Sequence, residues 1–350
     1  MSGPVPIVDA AHPFARDSDE LNPPDIIMRS ADRVDFFAHK QMLAFSSNCF
    51  ANMFAFPAPT VDDANPTRAG LTVVVVPEPA VALRVLLLMS YPRFSATYIV
   101  DSFDGVAEAY AAAKKYDIPA AITHIPKLLL EPVLLAREPY RVFAIAHILQ
   151  LEDIAKAAAA ETLKHPILGP AAHVPEYALI SAHQLWQLHA FRREVADVLK
   201  GIVELFVRPC LAENLVIYDD AFTPERAHLT LVWWSPMGPR GKHAVGCGAS
   251  LLAVPEDFPE VLVVPAPWFS EHIDRVMQRV SSLYTPFETN VDHVAEFLGQ
   301  ITPEIITATS KCPLCTAKAA TDLKELADGF RVVAKGSIEH VLQKTTFITL

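Results

Sequence analysis

The residues best suited to chemistry in this sequence are Cys312 and Cys315, separated by Pro313 and Leu314. A Cys-x-x-Cys pair can turn two thiolates toward one ion, and a structural zinc site takes four such ligands. His243 and Cys247, in a glycine-containing loop, could supply the other two, so the candidate zinc set is His243, Cys247, Cys312 and Cys315. The same spacing serves thiol redox chemistry, because a helix is predicted after Cys315 and a helix N-terminus favours a thiolate. In the third reading these are small residues of an ordinary core. No other cofactor is implied.

The rest of the chain offers little to a catalyst. Gly238 to His243 (GPRGKH) has the flavour of a phosphate loop but lacks the hydroxyl residue after the lysine and the glycine spacing. No nucleophile-elbow, zinc-protease or dinucleotide signature is present. The thirteen histidines are scattered. Two aromatic doublets, Trp233-Trp234 and Trp268-Phe269, read as core by default. An exposed doublet would instead anchor a partner, since interface hot spots favour tryptophan.

Charge narrows the partners. The formal net charge is −11, which repels nucleic-acid phosphates and anionic lipid unless a local basic patch intervenes. Arg192-Arg193 and Arg240/Lys242/His243 are short clusters without interleaved aromatics and read as solvated surface. The most apolar stretch, Leu71 to Met89, is interrupted by Pro77, Glu78, Pro79 and Arg84 and cannot span a bilayer unbroken. Five unevenly spaced cysteines do not make a disulfide framework, and no secretory signal opens the chain. The expectation is a reducing compartment, cytoplasm or nucleus, with neither membrane nor nucleic acid as partner.

Hydrophobic residues at 51% allow a sizeable core, and the length suits two or three domains. Residues 1–20 form a proline-rich arm predicted to be extended and mobile. Asp25 to Arg29 and Val34 to Ala38 read as a strand pair around a turn. From His39 the period changes, and Met42, Leu43, Cys49, Phe50, Met53 and Phe54 give apolar faces to two short helices broken at Ser46-Ser47-Asn48. Residues 60–70 are a polar loop, and Leu71 to Val76 is a buried strand. Helical spacing runs from Pro79 to Ser90, through Val106 to Ala113, and on to about Leu130. Residues 131–207 read as helices alone, with Glu138–Gln150, Leu151–Lys164 and a long one over Ser181–Phe206. After 208 the pattern weakens. His228 to Trp234 and Val261 to Val264 suit strands, and His272–Leu283 and Thr316–Leu342 suit helices.

The stretch from Pro23 to Phe54 resembles the opening of a BTB/POZ domain. The residues that carry the resemblance are Asp25-Ile26-Ile27, His39-Lys40, Leu43-Ala44, Ser47, Phe50 and Met53-Phe54. Tyr91-Pro92 and Ala112 to Ile118 (AAKKYDI) resemble later landmarks more weakly. The resemblance implies an α+β fold: a BTB/POZ domain over 21–130, a small mixed sheet flanked by helices. A mainly helical extension over 131–207, similar to BACK-type regions, follows it. An irregular α+β C-terminal region over 208–350 completes the chain. Fungal BTB proteins, those of mushroom-forming basidiomycete species above all, often have this arrangement.

BTB domains bind proteins and are not enzymes, so the implied function is non-enzymatic: self-association or scaffold binding by the N-terminal module. The fold-defining residues carried over are Asp25, His39, Lys40, Leu43, Ser47, Phe50, Met53 and Phe54. In the family, the aspartate and the basic residue line a partly buried charged pocket at the face used for dimerisation. Asp25 and Lys40 are therefore expected to pair, because an unpaired buried charge costs several kcal/mol. Many relatives deliver targets to cullin-3 ubiquitin ligases. Their hydrophobic-x-Glu motif has no counterpart in Ala55 to Ala64 (AFPAPTVDDA), where Phe56, Asp62 and Asp63 are the nearest substitutes. The proline-rich arm also departs from relatives that dimerise by exchanging an N-terminal element, which predicts a weak homodimer or a monomer. The alternative function is a zinc-stabilised or enzymatic C-terminal module tethered by the BTB domain. A transcription regulator would need fingers or basic regions that this sequence lacks.

Overall fold

The computed structural model describes residues 6–16, 22–55, 66–92, 102–165, 174–207, 210–211, 250–252, 262–264, 266–280 and 289–348. The chain divides into two compact units. The first comprises Met1–Ala158 and Val174–Ile180, and the second Ala159–His173 and Ser181–Leu350.

In the first unit the predicted strand pair forms as β2 (Ile26–Arg29) and β3 (Val34–Ala38), antiparallel, with Ile27 opposite Phe37. Strand β5 (Leu71–Val75) joins β2 in parallel and sets Val73 opposite Ile27. Ile27, Phe37 and Val73 thus make one apolar row across three strands, with Leu71 packed against it. Met28 and Phe36 turn to the other face and are also buried, so the sheet is covered on both sides. That is why these strands read as nearly continuous apolar runs. Two short strands complete the order β1-β3-β2-β5-β4: β1 (Val8–Asp9) against β3 and β4 (Thr67–Arg68) against β5.

The helices of this unit follow the predicted order. They are α1 (Lys40–Ser46), α2 (Asn48–Ala55), α3 (Ala80–Ser90), α4 (Val106–Lys115) and α5 (Pro119–Leu129). Then come α6 (Pro132–Arg137), α7 (Pro139–Leu149) and α8 (Glu152–Thr162), the last straddling the unit boundary. Helix α7 is buried on nearly every side, from Val142 through His147, and packs on α4. The helical extension drawn over 131–207 is therefore shared. Its first helices and a 3-10 turn at Pro175–Leu179 belong with the sheet, and its long helix belongs to the second unit.

The arm expected to be mobile over 1–20 is docked along 6–16. The Ala10 amide donates to the Asp35 carbonyl, and Arg84 donates to the carbonyls of Ala11 and His12. Phe14 is 1% exposed, edge-on to Tyr91 at 5.4 Å and tilted against Phe36 at 6.2 Å. Proline content predicted an extended chain, and extended chain is what adds to a sheet edge. The buried aromatic anchor decides that it stays there.

The second unit is built on two long helices, α9 (Ala182–Val207) and α13 (Pro313–Lys344). Between them in sequence lie α10 (Pro267–Val280), α11 (Val291–Leu298) and α12 (Pro303–Thr309). Leu188, Phe191, Val195, Leu199 and Val203 make the buried stripe of α9. Three short strands, β6 (Cys210–Leu211), β7 (Ser250–Leu252) and β8 (Leu262–Val264), pair in the order β6-β8-β7. Trp268 and Phe269 sit in this core, edge to face at 5.9 Å. The Trp233-Trp234 doublet, the expected strand over 228–234, and the Arg240/Lys242/His243 cluster lie outside the described residues.

Arg192 departs from the solvated-surface reading of Arg192-Arg193. It is buried, and its guanidinium donates to the carbonyls of Thr162 and His165 at the end of α8 and to Thr289 Oγ1. A cation beside the terminal carbonyls of a helix satisfies acceptors that have no intrahelical donor. Arg193 is exposed as expected.

Candidate functional site

The candidate interaction surface is the helix pair α1–α2 and the corner that enters it. His39 closes β3 and precedes α1, with every polar atom of backbone and ring engaged in holding the chain. Its backbone N–H donates to the Tyr91 hydroxyl at 2.8 Å, and that hydroxyl lies 3.1 Å from Nδ1. Nε2 is 2.7 Å from the Asn22 carbonyl, which can only accept. The proton is therefore on Nε2, and Nδ1 accepts from Tyr91. Burial pushes the Tyr91 pKa up to about 12, so the hydroxyl stays protonated as this arrangement needs.

Asp25 and Lys40 do not form the buried ion pair that was expected. Asp25 is exposed, and its carboxylate takes the backbone N–H of Lys40 at 2.7 Å, not the ammonium. It therefore caps the start of α1, where an anion is favoured by the helix end. The buried acid of this sheet is Asp35, at 0% exposure. Arg29 grips it with two bonds, at 2.6 and 2.9 Å, and Arg68 adds a third at 2.6 Å while also reaching Asp9 on β1. Burial alone would raise the Asp35 pKa, but the bonds from Arg29 and Arg68 together outweigh it and hold the carboxyl below its ordinary range. The clasp joins β1, β2, β3 and β4. An aspartate inside an otherwise apolar strand (VDFFA) was the sequence signal for it.

Of the predicted break and cap, Ser46-Ser47-Asn48, it is Ser47 that caps α2. Its hydroxyl accepts the Phe50 amide at 3.0 Å, the N-cap bond of α2, and donates to the Tyr116 carbonyl. Phe50 is buried and stacks on Tyr116 at 5.1 Å and on Phe54 at 6.2 Å. Tyr116 in turn donates to the buried Glu78 at 2.7 Å, and Lys115 donates to the same carboxylate at 2.9 Å. Leu43 is fully buried beneath the pair. Leu43, Ser47 and Phe50 are thus scaffold, and Phe54 is half-buried beside them.

The outward side of the same pair differs in character. Its exposed residues are Gln41, Phe45, Asn48, Cys49, Asn52, Met53 and Ala55, none of them charged. Phe45 is 80% exposed and Met53 39% exposed. Met53 was expected on the buried apolar face. Phe50 and Phe54 take that face together, and Cys49 and Met53, also four residues apart, take the adjacent one. Sequence reasoning passed over Phe45. Two residues after Leu43, it falls some 200° around the helix and so must point outward when Leu43 points in.

A family model described as BTB/POZ domain matches residues 17–132. Residues 17–132 are a BTB/POZ domain. The mixed sheet flanked by helices and the helical extension agree with that assignment. A BTB/POZ domain is a protein-interaction module and typically does no chemistry itself, which fits a site whose histidine is spent on structure. No curated protein matches the chain.

The other predicted positions divide as follows. The loop residues Phe56, Asp62 and Asp63, expected to face cullin, lie outside the described residues, as do His243 and Cys247 of the zinc set. Cys312 and Cys315 are described, at one turn's separation and both buried. Among the described residues no group of three or more His, Cys, Asp and Glu side chains is placed to hold a metal. No helix among them is long and apolar enough to cross a membrane.

Proposed function

We propose that this chain is a non-enzymatic adaptor whose BTB/POZ domain self-associates through the outward side of α1–α2. The observation that carries the reading is the uncharged surface around Phe45. In a chain of formal net charge −11, two copies repel one another over most of their surface. A patch with exposed Phe45, Cys49 and Met53, bordered by the Asp117 carboxylate where Asn48 bonds it and by Lys40 at the start of α1, is where they approach at least cost. Its small extent suits a weak homodimer. The remainder of the chain holds a target. Trp186, 64% exposed on α9 and stacked near His183, is the aromatic anchor best suited to that work.

Delivery to a cullin-3 scaffold is the finer form of the adaptor reading. Phe56, Asp62 and Asp63 are the residues assigned to it. The test uses one purified tagged copy as bait for a second, differently tagged copy and for purified cullin-3. Recovery of the second copy supports self-association. Recovery of cullin-3 supports the scaffold role, and its absence confines the protein to partners other than cullin-3. Failure to recover either would overturn the proposal.

A further inference from the structure

We propose that Cys312 and Cys315 are a reversible dithiol–disulfide pair that locks the first turn of the last helix. In this structure both are thiols. Cys312 is the N-cap of α13, with extended backbone at φ −136° and ψ 115°, and Pro313 opens the helix. Cys315 is therefore the third helical residue. An N-cap side chain reaches back over the first turn toward the third position. Here that position carries the second sulfur. One turn of helix separates their Cα atoms by about 5 Å, inside the range a disulfide spans without moving the backbone.

The backbone of this corner is held by hydrogen bonds to main-chain carbonyls. The Cys312 amide donates to the Thr309 carbonyl at 2.9 Å, and the Thr316 amide donates to the Cys312 carbonyl at 2.9 Å. The Thr316 hydroxyl is shared between the carbonyls of Thr309 at 2.8 Å and Cys312 at 3.1 Å. Closing an S–S bond therefore links two residues in a turn whose backbone these bonds already hold. The N-cap position normally goes to Ser, Thr, Asp or Asn. A cysteine there, with a second one at the third helical position, gives up a good cap for a pair of thiols.

The reaction is exchange with a small-molecule disulfide of the glutathione type. One cysteine thiolate attacks a sulfur of the oxidised reagent, expelling a thiolate and leaving a mixed disulfide on the protein. The second cysteine thiolate attacks the protein sulfur of that bond and expels the second reagent thiolate. The two cysteine protons end on the two leaving thiols, the cysteines are oxidised by two electrons, and the reagent is reduced by two. Both side chains are nearly inaccessible, at 1% and 3% exposure, so exchange proceeds through brief opening of the corner between α12 and α13.

Trypsin tests this directly, because Lys311 and Lys318 place both cysteines on one peptide, Cys312–Lys318. The full chain is equilibrated over a series of oxidised-to-reduced glutathione ratios, alkylated, digested and weighed. The exposed Cys49 serves as the internal control for reagent reactivity. The expected result is a Cys312–Lys318 peptide lighter by two hydrogens and closed to alkylation, restored to two alkylated thiols by dithiothreitol. In Cys315→Ser, Cys312 is expected to stop at the mixed glutathione disulfide. The proposal is overturned if Cys312–Lys318 keeps two alkylatable thiols at equilibrium while Cys49 is glutathionylated. It is equally overturned if the purified chain retains one equivalent of zinc that Cys312→Ser releases.

Discussion

Replacing Asp35 by asparagine removes the anion from the clasp but leaves its shape. Asp35 is wholly buried, Arg29 is 15% exposed, and Arg68 is 35% exposed and keeps Asp9 as a partner. Removing one partner of a buried ion pair costs roughly 3–5 kcal/mol, because the other charge is left uncompensated. Arg68 can shed its excess charge to solvent and to Asp9, so the burden falls on Arg29 and the low end applies, about 3 kcal/mol. The amide nitrogen of asparagine would also face a guanidinium, donor against donor. Arg68→Met, which leaves the carboxylate with Arg29, should cost only about 1 kcal/mol. Tryptophan fluorescence would miss the effect, since the sequence of the first unit contains no tryptophan. Native-state hydrogen exchange at the Ile27 and Met28 amides of β2 reads it. The pH dependence gives a second check. The folded pKa of Asp35 lies below its ordinary value of 3.8, so the clasp contributes in full well above that value. Its contribution is lost as pH falls through 3.8 toward the lower folded pKa, and Asp35→Asn should lack that acid limb. A loss under about 1 kcal/mol at pH 7 would refute the reasoning, since it would mean the buried charge is not held by its arginines.

Four further outcomes are expected. Arg192→Met should cost the second unit about 3 kcal/mol by removing the charged donor shared by the Thr162 and His165 carbonyls and Thr289, whereas exposed Arg193→Met should stay within about 0.5 kcal/mol in parallel urea titrations. Phe14→Ala should cost about 3 kcal/mol and free the arm, read as faster tryptic cleavage after the exposed Arg16; an unchanged cleavage rate would show that Phe14 does not anchor it. Tyr91→Phe removes the hydroxyl shared by the His39 amide and ring, and a loss of about 1 kcal/mol is expected by hydrogen exchange in β3. His147 is buried against Phe143, and neither ring nitrogen has a hydrogen-bond partner among the described residues. Burial lowers its pKa, so its contribution to stability is present above pH 6.5 and is lost as the pH falls from there toward the folded value; His147→Leu should flatten that part of the stability profile.

The scaffold half of the candidate site was legible because capping and core packing have local signatures. Ser46-Ser47-Asn48 reads as a break and cap between two apolar runs, and Leu43 and Phe50 read as apolar-face residues from helical spacing. The strands β2, β3 and β5 were legible for the same kind of reason, as short apolar runs between turns. The Asp35 clasp was not, because its partners lie 6 and 33 residues away and only the sheet brings them together. The docked arm escaped for a related reason: its anchor, Phe14, has no periodic neighbours, and its pocket is made by Phe36 and Tyr91 from elsewhere in the chain. Helices α11 and α12 were passed over although each carries a local start signal. Asn290 accepts the amides of Asp292 and His293, and Thr302 accepts that of Ile305 just before Pro303. Both helices are only about two turns long, too short for a periodic pattern to stand out. Arg192 misled because two adjacent arginines look alike in sequence, while one residue of rotation on a helix turns one into the core and the other to solvent.

Self-association through the uncharged side of α1–α2 is tested most directly by sedimentation velocity over a concentration series, on the wild-type chain and on Phe45→Arg. Phe45 is 80% exposed, so the arginine should leave the fold intact while placing a desolvated charge against its own copy across a two-fold contact. The expected result is a wild-type sedimentation coefficient that rises with concentration and a variant that stays monomeric throughout. A wild-type chain that remains monomeric at the highest concentration, or a dimer that Phe45→Arg leaves unchanged, would contradict it.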